Sequence, residues 1–143
     1  KVTHIFDLAE KEIDKGAIGF EKLNRTLTFQ DPCRLARLGG PGELPRKLIS
    51  RLKPRGFEEM RDRGNSALCC GNCAWTGCDS YTKALQVKRL RQARETGSNL
   101  LVTACPKCQI HLRCAMEDPF LGDEIRMEMM DLTSIVARTI RWE

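Results

Sequence analysis

A chain of 143 residues is one domain's worth, and its 41% apolar and 30% charged residues have the composition of a globular domain, which excludes a mostly disordered chain. The formal charge is +5, with basic residues concentrated between Arg34 and Arg63 and between Lys83 and Arg94, a balance that suits anionic substrates, acidic partners or an ordinary solvated surface. No apolar run approaches the ~20 residues of a membrane-spanning helix, and 6% aromatics without basic interleaving argue against a nucleic-acid partner.

The chain opens on Lys1, in mid-pattern and without a basic-then-apolar leader, so it is expected to be a single domain cut from, or C-terminal in, a longer protein. Residues 4–14 put Ile5, Leu8, Ala9 and Ile13 on one helical face, and Gly16 ends that helix. Arg25–Gln30 alternates and is rich in β-formers, a strand closed by Asp31-Pro32. Residues 32–38 predict a short helical turn, 39–42 a glycine-rich loop, and 43–52 a helix carrying Leu44, Leu48, Ile49 and Leu52. Short strands are expected at Gly56–Met60 and Ser66–Cys69. Asp79–Glu95 is the longest helical signal, capped by Asp79 or Ser80 and ended by Gly97. Leu100–Ala104 is a nearly continuous apolar run, as in a strand buried on both faces. Pro106 opens a helix that runs to about Met116. A last strand, Ile125–Met129, leads into a helix from Leu132 to Arg141. Alternating helices and strands predict an α/β domain, a small mostly parallel sheet flanked by helices.

Cysteines stand at 33, 69, 70, 73, 78, 105, 108 and 114. An even count would suit a disulfide scaffold, but such scaffolds are short, loop-rich and secreted. Long helical patterns and the absence of an export signal favour metal ligands or redox thiols. Cys33, Cys69, Cys70 and Cys105 fall at or just after predicted strand ends, and Cys108 lies one helical turn further on. In open α/β sheets the carboxyl ends of the strands line the binding crevice, so three distant segments are expected to converge. Thiolates select iron–sulfur clusters and zinc. A tetrahedral zinc takes at most four of them, so five favour a cluster of several metal atoms. Helices beginning after Cys33 and Cys105 would aim their N-termini at an anionic cluster. Arg34, Arg37 and Lys107 beside them could tune it or dock an anionic substrate.

The residues Asp31-Pro32-Cys33, Pro45-Arg46, Leu68-Cys69-Cys70-Gly71 and Ala104-Cys105-Pro106-Lys107-Cys108, in the arrangement C-x35-C-C-x34-C-x2-C, resemble the CCG cysteine-rich domain of heterodisulfide-reductase-related iron–sulfur proteins. That family includes glycolate oxidase iron–sulfur subunits and lactate-utilisation proteins, and the resemblance covers roughly residues 1–138. It implies that Cys33, Cys69, Cys70, Cys105 and Cys108 hold a noncubane 4Fe–4S cluster in an oxidoreductase of anaerobic metabolism, working in electron transfer or disulfide reduction. It further implies iron–sulfur or flavin redox domains or subunits as electron donors and a disulfide or thiol as substrate. The expected location is a reducing cytoplasm, with any membrane association made through partners. Zinc is the alternative occupant implied by some relatives.

Other readings stay open at this level. Cys70-x2-Cys73 and Cys105-x2-Cys108 form two C-x2-C pairs, the mark of a structural zinc module organising a larger complex, with Cys33 and Cys69 spare. A metal-free thiol relay through Cys69-Cys70 would need a strained vicinal disulfide. Relatives usually follow Cys-Cys-Gly with a glycine-rich run, whereas here Cys73, Trp75 and Cys78 intervene. The two cysteines are either additional ligands or redox thiols, or small packed side chains. Cys114 and the methionines between Met127 and Met130 read as packing residues, His4 as structural, and His111 as a helix residue rather than a ligand.

Overall fold

The computed structural model describes residues 2–38, 40, 42–71 and 79–141. Its elements are α1 (Ile5–Asp14), β1 (Thr26–Gln30), α2 (Cys33–Ala36), α3 (Leu44–Arg51), β2 (Gly56–Phe57), α4 (Ser80–Glu95), β3 (Leu100–Thr103), α5 (Pro106–Met116), β4 (Glu128–Asp131) and α6 (Leu132–Thr139). The four strands form one parallel sheet in the order β2-β1-β3-β4. This is the α/β architecture that the alternation of elements predicts.

Side-chain alternation along the strands divides the interior in two. Leu27, Phe29, Leu100 and Val102 point to one face and pack with Phe6, Leu48, Ile49, Leu132 and Ile135 from α1, α3 and α6. Leu101 and Met129 point to the other and pack with Leu90, Ala93, Leu112 and Ala115 from α4 and α5. Every residue of β3 is buried, as its unbroken apolar run requires.

Several details differ from the sequence expectations. The inner stripe of α1 is Phe6, Ala9 and Ile13, while Ile5 and Leu8 are 57% and 50% exposed. The larger Phe6 takes the inward position and rotates the helix by one residue. His4 caps α1, its Nδ1 accepting from the Phe6 N–H at 3.2 Å. No strand forms at Ser66–Cys69. A 3-10 turn at Gly64–Ser66 precedes a loop whose carbonyls are taken by side chains, Leu68 by the Gln30 amide and Ala67 by Arg37. The expected strand at Gly56–Met60 pairs only over Gly56–Phe57, since Glu59 turns away to Arg46. Strand β4 begins at Glu128 instead of Ile125, because a 3-10 turn at Asp123–Ile125 buries Ile125 and the register with β3 starts at Leu100↔Glu128. The last helix stops at Thr139, where Ile140 becomes extended and bridges Phe20. Among the described residues no helix is long and apolar enough to cross a membrane.

Immediately after β1, the carboxylate of Asp31 is 2% exposed and is held bidentately by Arg46 at 2.8 and 2.9 Å. Arg46 also grips Glu59 at 2.6 and 3.0 Å and lies 5.6 Å from the centre of the Phe29 ring. These carboxylates, Asp31 foremost, raise the Arg46 pKa above its ordinary value. The second Asp31 oxygen accepts the Gly64 N–H at 2.9 Å, which ties the loop before Cys69 to the end of β1. Breaking a buried pair from one side leaves a desolvated charge. Arg46→Met is therefore expected to cost roughly 3–5 kcal/mol, measured by denaturant unfolding, and a loss under about 1 kcal/mol, the size of an exposed pair, would contradict this account.

Candidate functional site

Gln30 and Thr103 are paired at the level ends of β1 and β3, and each strand runs directly into a cysteine segment. From β1 the chain passes Asp31 and Pro32, and Cys33 opens α2. From β3 it passes Ala104, and Cys105 caps α5 with Pro106 as the first helical residue. Proline suits that position because the first turn leaves its N–H without an intrahelical partner. Strand β1 has β2 on one side and β3 on the other, so the connections after β1 and β3 part at this point, the place where open α/β sheets form a crevice.

Cys69 and Cys70 arrive on the loop after the 3-10 turn rather than on the end of a strand. The turn of the chain at Gly71 is possible only for glycine. Its φ is +86°, and a Cβ there would lie 2.7 Å from Gln86 Cγ and 2.8 Å from the carbonyl oxygen of Thr82. The Cys-Cys-Gly segment is thus pressed against the first half of α4.

Cys33, Cys69, Cys70, Cys105 and Cys108 line one cavity of about 540 Å3. Pro32, Leu38 and Pro106 supply apolar walls, and Arg34 and Lys107 supply positive charge. Cys70 and Cys108 are buried, Cys69 and Cys105 partly so, and Cys33 is exposed. None of the six described cysteines is in a disulfide. Arg37, also expected beside the site, is not among the lining residues and bonds the Ala67 carbonyl.

Cys73, Cys78 and Trp75 lie outside the described residues. His111 faces the Gln86 amide at 3.4 Å. Cys114, expected in the core, is exposed with its sulfur 3.7 Å from Lys83 Nζ. Six residues beyond Cys108 on one helix, it is rotated about 240° from the inward face. The basic residues of α4 border a separate groove of about 590 Å3, where Lys83 pairs with Asp118 at 3.2 Å and Arg91 with Glu124 at 2.8 Å.

The thiols polarise one another. The Cys105 pKa is lowered to about 6, chiefly by the hydrogen bond from the Cys108 thiol against the opposing effect of burial, with the backbone N–H groups of Cys108 and Lys107 adding to the lowering. The Cys108 thiol is pushed up by its hydrogen bonds with Cys105 and Cys70 and by burial. Cys105 is therefore the thiolate of the pair and Cys108 its proton donor.

Among the described residues no three His, Cys, Asp or Glu side chains are grouped to hold a single metal ion. Five soft thiols spread around one wide cavity instead fit a group of several metal atoms. A zinc set of Cys70, Cys73, Cys105 and Cys108 would leave out Cys33 and Cys69, which line the same cavity.

Sequence reasoning missed the buried polar layer behind the cysteines. Arg89 is fully buried on α4, donating to Gln30 Oε1, to the Asp62 carbonyl at 2.7 Å and to Gln92 Oε1 at 2.8 Å. The signal in the sequence is the spacing of Gln86, Arg89, Leu90 and Ala93, one inward stripe in which half the residues are polar.

Gly71→Ala should cost roughly 1–3 kcal/mol, seen as a lowered thermal midpoint. Gly64→Ala is the control, left-handed at φ +56° but with nothing near its Cβ, and should cost less. Equal losses would show that crowding against α4 does not matter. In metal-free protein, alkylation of Cys105 should rise with pH to half its maximum at about pH 6, below an ordinary thiol at about 8.5. Cys108→Ala should move that midpoint upward, as read by mass mapping of labelled peptides; an unmoved midpoint would remove the proposed donor.

A family model described as the CCG cysteine-rich domain matches residues 27–113. The chain is 32% identical over 143 residues to one of the subunits of the dihydromethanophenazine:CoB–CoM heterodisulfide reductase of Methanosarcina acetivorans, covering 98% of this chain and 34% of that protein. It is 29% identical over 132 residues to one of the subunits of the fumarate reductase (CoM/CoB) of Methanothermobacter marburgensis, covering 90% of this chain and 26% of that protein. It is 25% identical over 104 residues to a probable glycolate oxidase iron–sulfur subunit of Bacillus subtilis, covering 71% and 23%. The chain thus spans about a quarter to a third of the length of these relatives, and no solved structure matches it. With the matched segment running from β1 through the Cys105-x2-Cys108 helix, this chain belongs to the CCG cysteine-rich domain family.

Proposed function

We propose that this chain is an iron–sulfur redox domain in which Cys33, Cys69, Cys70, Cys105 and Cys108 hold a noncubane 4Fe–4S cluster, working in electron transfer or disulfide reduction within a larger oxidoreductase. The observation that carries this reading is the convergence of five cysteines from three segments on one cavity. Relatives that are subunits of a heterodisulfide reductase and of a CoM/CoB fumarate reductase support it. A bound cluster of this kind would supply one-electron chemistry beside iron sites open to sulfur.

The protein's own residues do the rest. Cys105 is poised as a thiolate, so it presents a ready ligand. Pro32, Leu38 and Pro106 give the cavity apolar walls, and Arg34 and Lys107 favour the anionic end of a thiol or disulfide substrate. Because the chain spans only part of its relatives, electrons would come from iron–sulfur or flavin domains elsewhere in the chain or in partner subunits.

Anaerobically prepared protein should contain about four irons and four sulfides per chain, with a paramagnetic signal that changes on adding thiol or disulfide. Cys33→Ser should abolish or convert that signal and, because Cys33 is exposed, is expected to leave the thermal midpoint of the metal-free protein unchanged. One zinc without sulfide, unaffected by Cys33→Ser, would overturn this function.

A further inference from the structure

Arg89 and Asp31 are the charged side chains buried among the described residues. Asp31 has its counter-charge in Arg46. Among the described residues Arg89 has no anion in direct contact: its hydrogen bonds go to neutral acceptors, the Gln30 and Gln92 amides and the Asp62 carbonyl, and its Nη2 has no partner there. The Asp62 carboxylate is itself engaged by Gln92 Nε2 at 2.5 Å. An interior cation without a contacting anion is costly, and such charges persist where a nearby anion offsets them.

The hydrogen-bond partners of Arg89 place it against the cysteine segments. Gln30, which accepts from Arg89, donates in turn to the carbonyls of Asp31 at 2.9 Å and Leu68 at 3.5 Å. These residues stand two before Cys33 and one before Cys69. Gln30 is also paired in register with Thr103, two residues before Cys105, and the largest attractions on the guanidinium come from the Asp31 and Asp62 carboxylates of the same buried layer. Burial lowers the Arg89 pKa only to about 10, so the charge persists at neutral pH. Arg89 therefore sits behind all three cysteine segments, on the protein side of the cavity, whereas Arg34 and Lys107 line the cavity itself.

We propose that Arg89 is a positioning residue of the cysteine site: its buried guanidinium is the fixed counter-charge of the anionic, thiolate-held group in the cavity, and sets how readily that group takes an electron. This rests on the iron–sulfur reading above. A fixed cation favours the more negative, reduced state, so removing it makes reduction harder. Because it is buried, its effect is screened little by salt, unlike that of exposed cations.

The test is redox titration of the anaerobic holoprotein, with iron and sulfide measured on the same samples. Arg89→Met is expected to lower the reduction equilibrium constant about tenfold or more, ~59 mV for a one-electron couple, while Arg89→Lys retains most of the wild-type value. The wild-type potential should shift little between about 0.05 M and about 0.5 M salt, in contrast to a potential set by exposed charge. Equal potentials in wild type and Arg89→Met at equal iron content would overturn the proposal. Should Arg89→Met not fold, the wild-type salt series decides, and a strong salt dependence overturns the proposal by placing control in exposed charges. Absence of iron and sulfide from wild type would instead overturn the iron–sulfur reading, so the two failures are distinguishable.

Discussion

The parallel pairing of β1 with β3 is the constraint on which the site depends. Parallel strands run the same way, so the chain leaves both at one edge, and the register Gln30↔Thr103 makes that edge level. Cys33 and Cys105 then emerge side by side although seventy-one residues separate them. A slip of one residue in either strand would turn Leu27 and Phe29, or Leu100 and Val102, away from the core they fill. The hydrophobic interior that holds the sheet together therefore also fixes which cysteines meet.

The third segment has no strand to carry it and is held by polar ties instead. Asp31 takes the Gly64 N–H, Gln30 takes the Leu68 carbonyl, and Gly71 packs where only a glycine fits. Each tie runs to the end of β1 or to α4, so the loop is positioned by the elements that position Cys33. Such polar groups lose solvation when buried and offset that loss only if fully bonded. Asp31 meets this condition through Arg46, and its position two residues before Cys33 makes the ion pair part of the site's support.

Much of this organisation is legible in the sequence. The unbroken apolar run of Leu100–Thr103, the Pro106 helix start and the cysteine spacing carry the sheet and the convergence, because core burial and helix capping are local or periodic signals. The loop at Ala67–Gly71 resembles a strand in sequence because its short apolar stretch carries no periodicity, and its partners are side chains distant in sequence. The same is true of Arg89. On α4 the inward stripe is part polar, so hydrophobic periodicity is weak, and only the fold reveals that an arginine faces the interior. Ile5 and Leu8 show the converse, apolar residues at helical spacing that the narrow contact of α1 leaves outside.

The site is built on a scaffold that is packed without it. Both apolar clusters draw on the sheet and on helices from opposite faces, and only Cys70 and Cys108 of the cavity cysteines belong to their buried cores. In small metal-folded domains the binding energy of the metal is also the folding energy. Here most of the interior comes from residues outside the cavity: Cys33 is exposed and Cys69 only partly buried, while Cys105 packs at the margin of one cluster. A preformed cavity with one thiolate already poised would lower the reorganisation needed to load the proposed cluster, and a fixed scaffold would limit how far its ligands follow a change in its charge. For the cluster proposed above, the α5 N-terminus and the buried Arg89 would then join Arg34 and Lys107 as the electrostatic means of adjusting its redox properties.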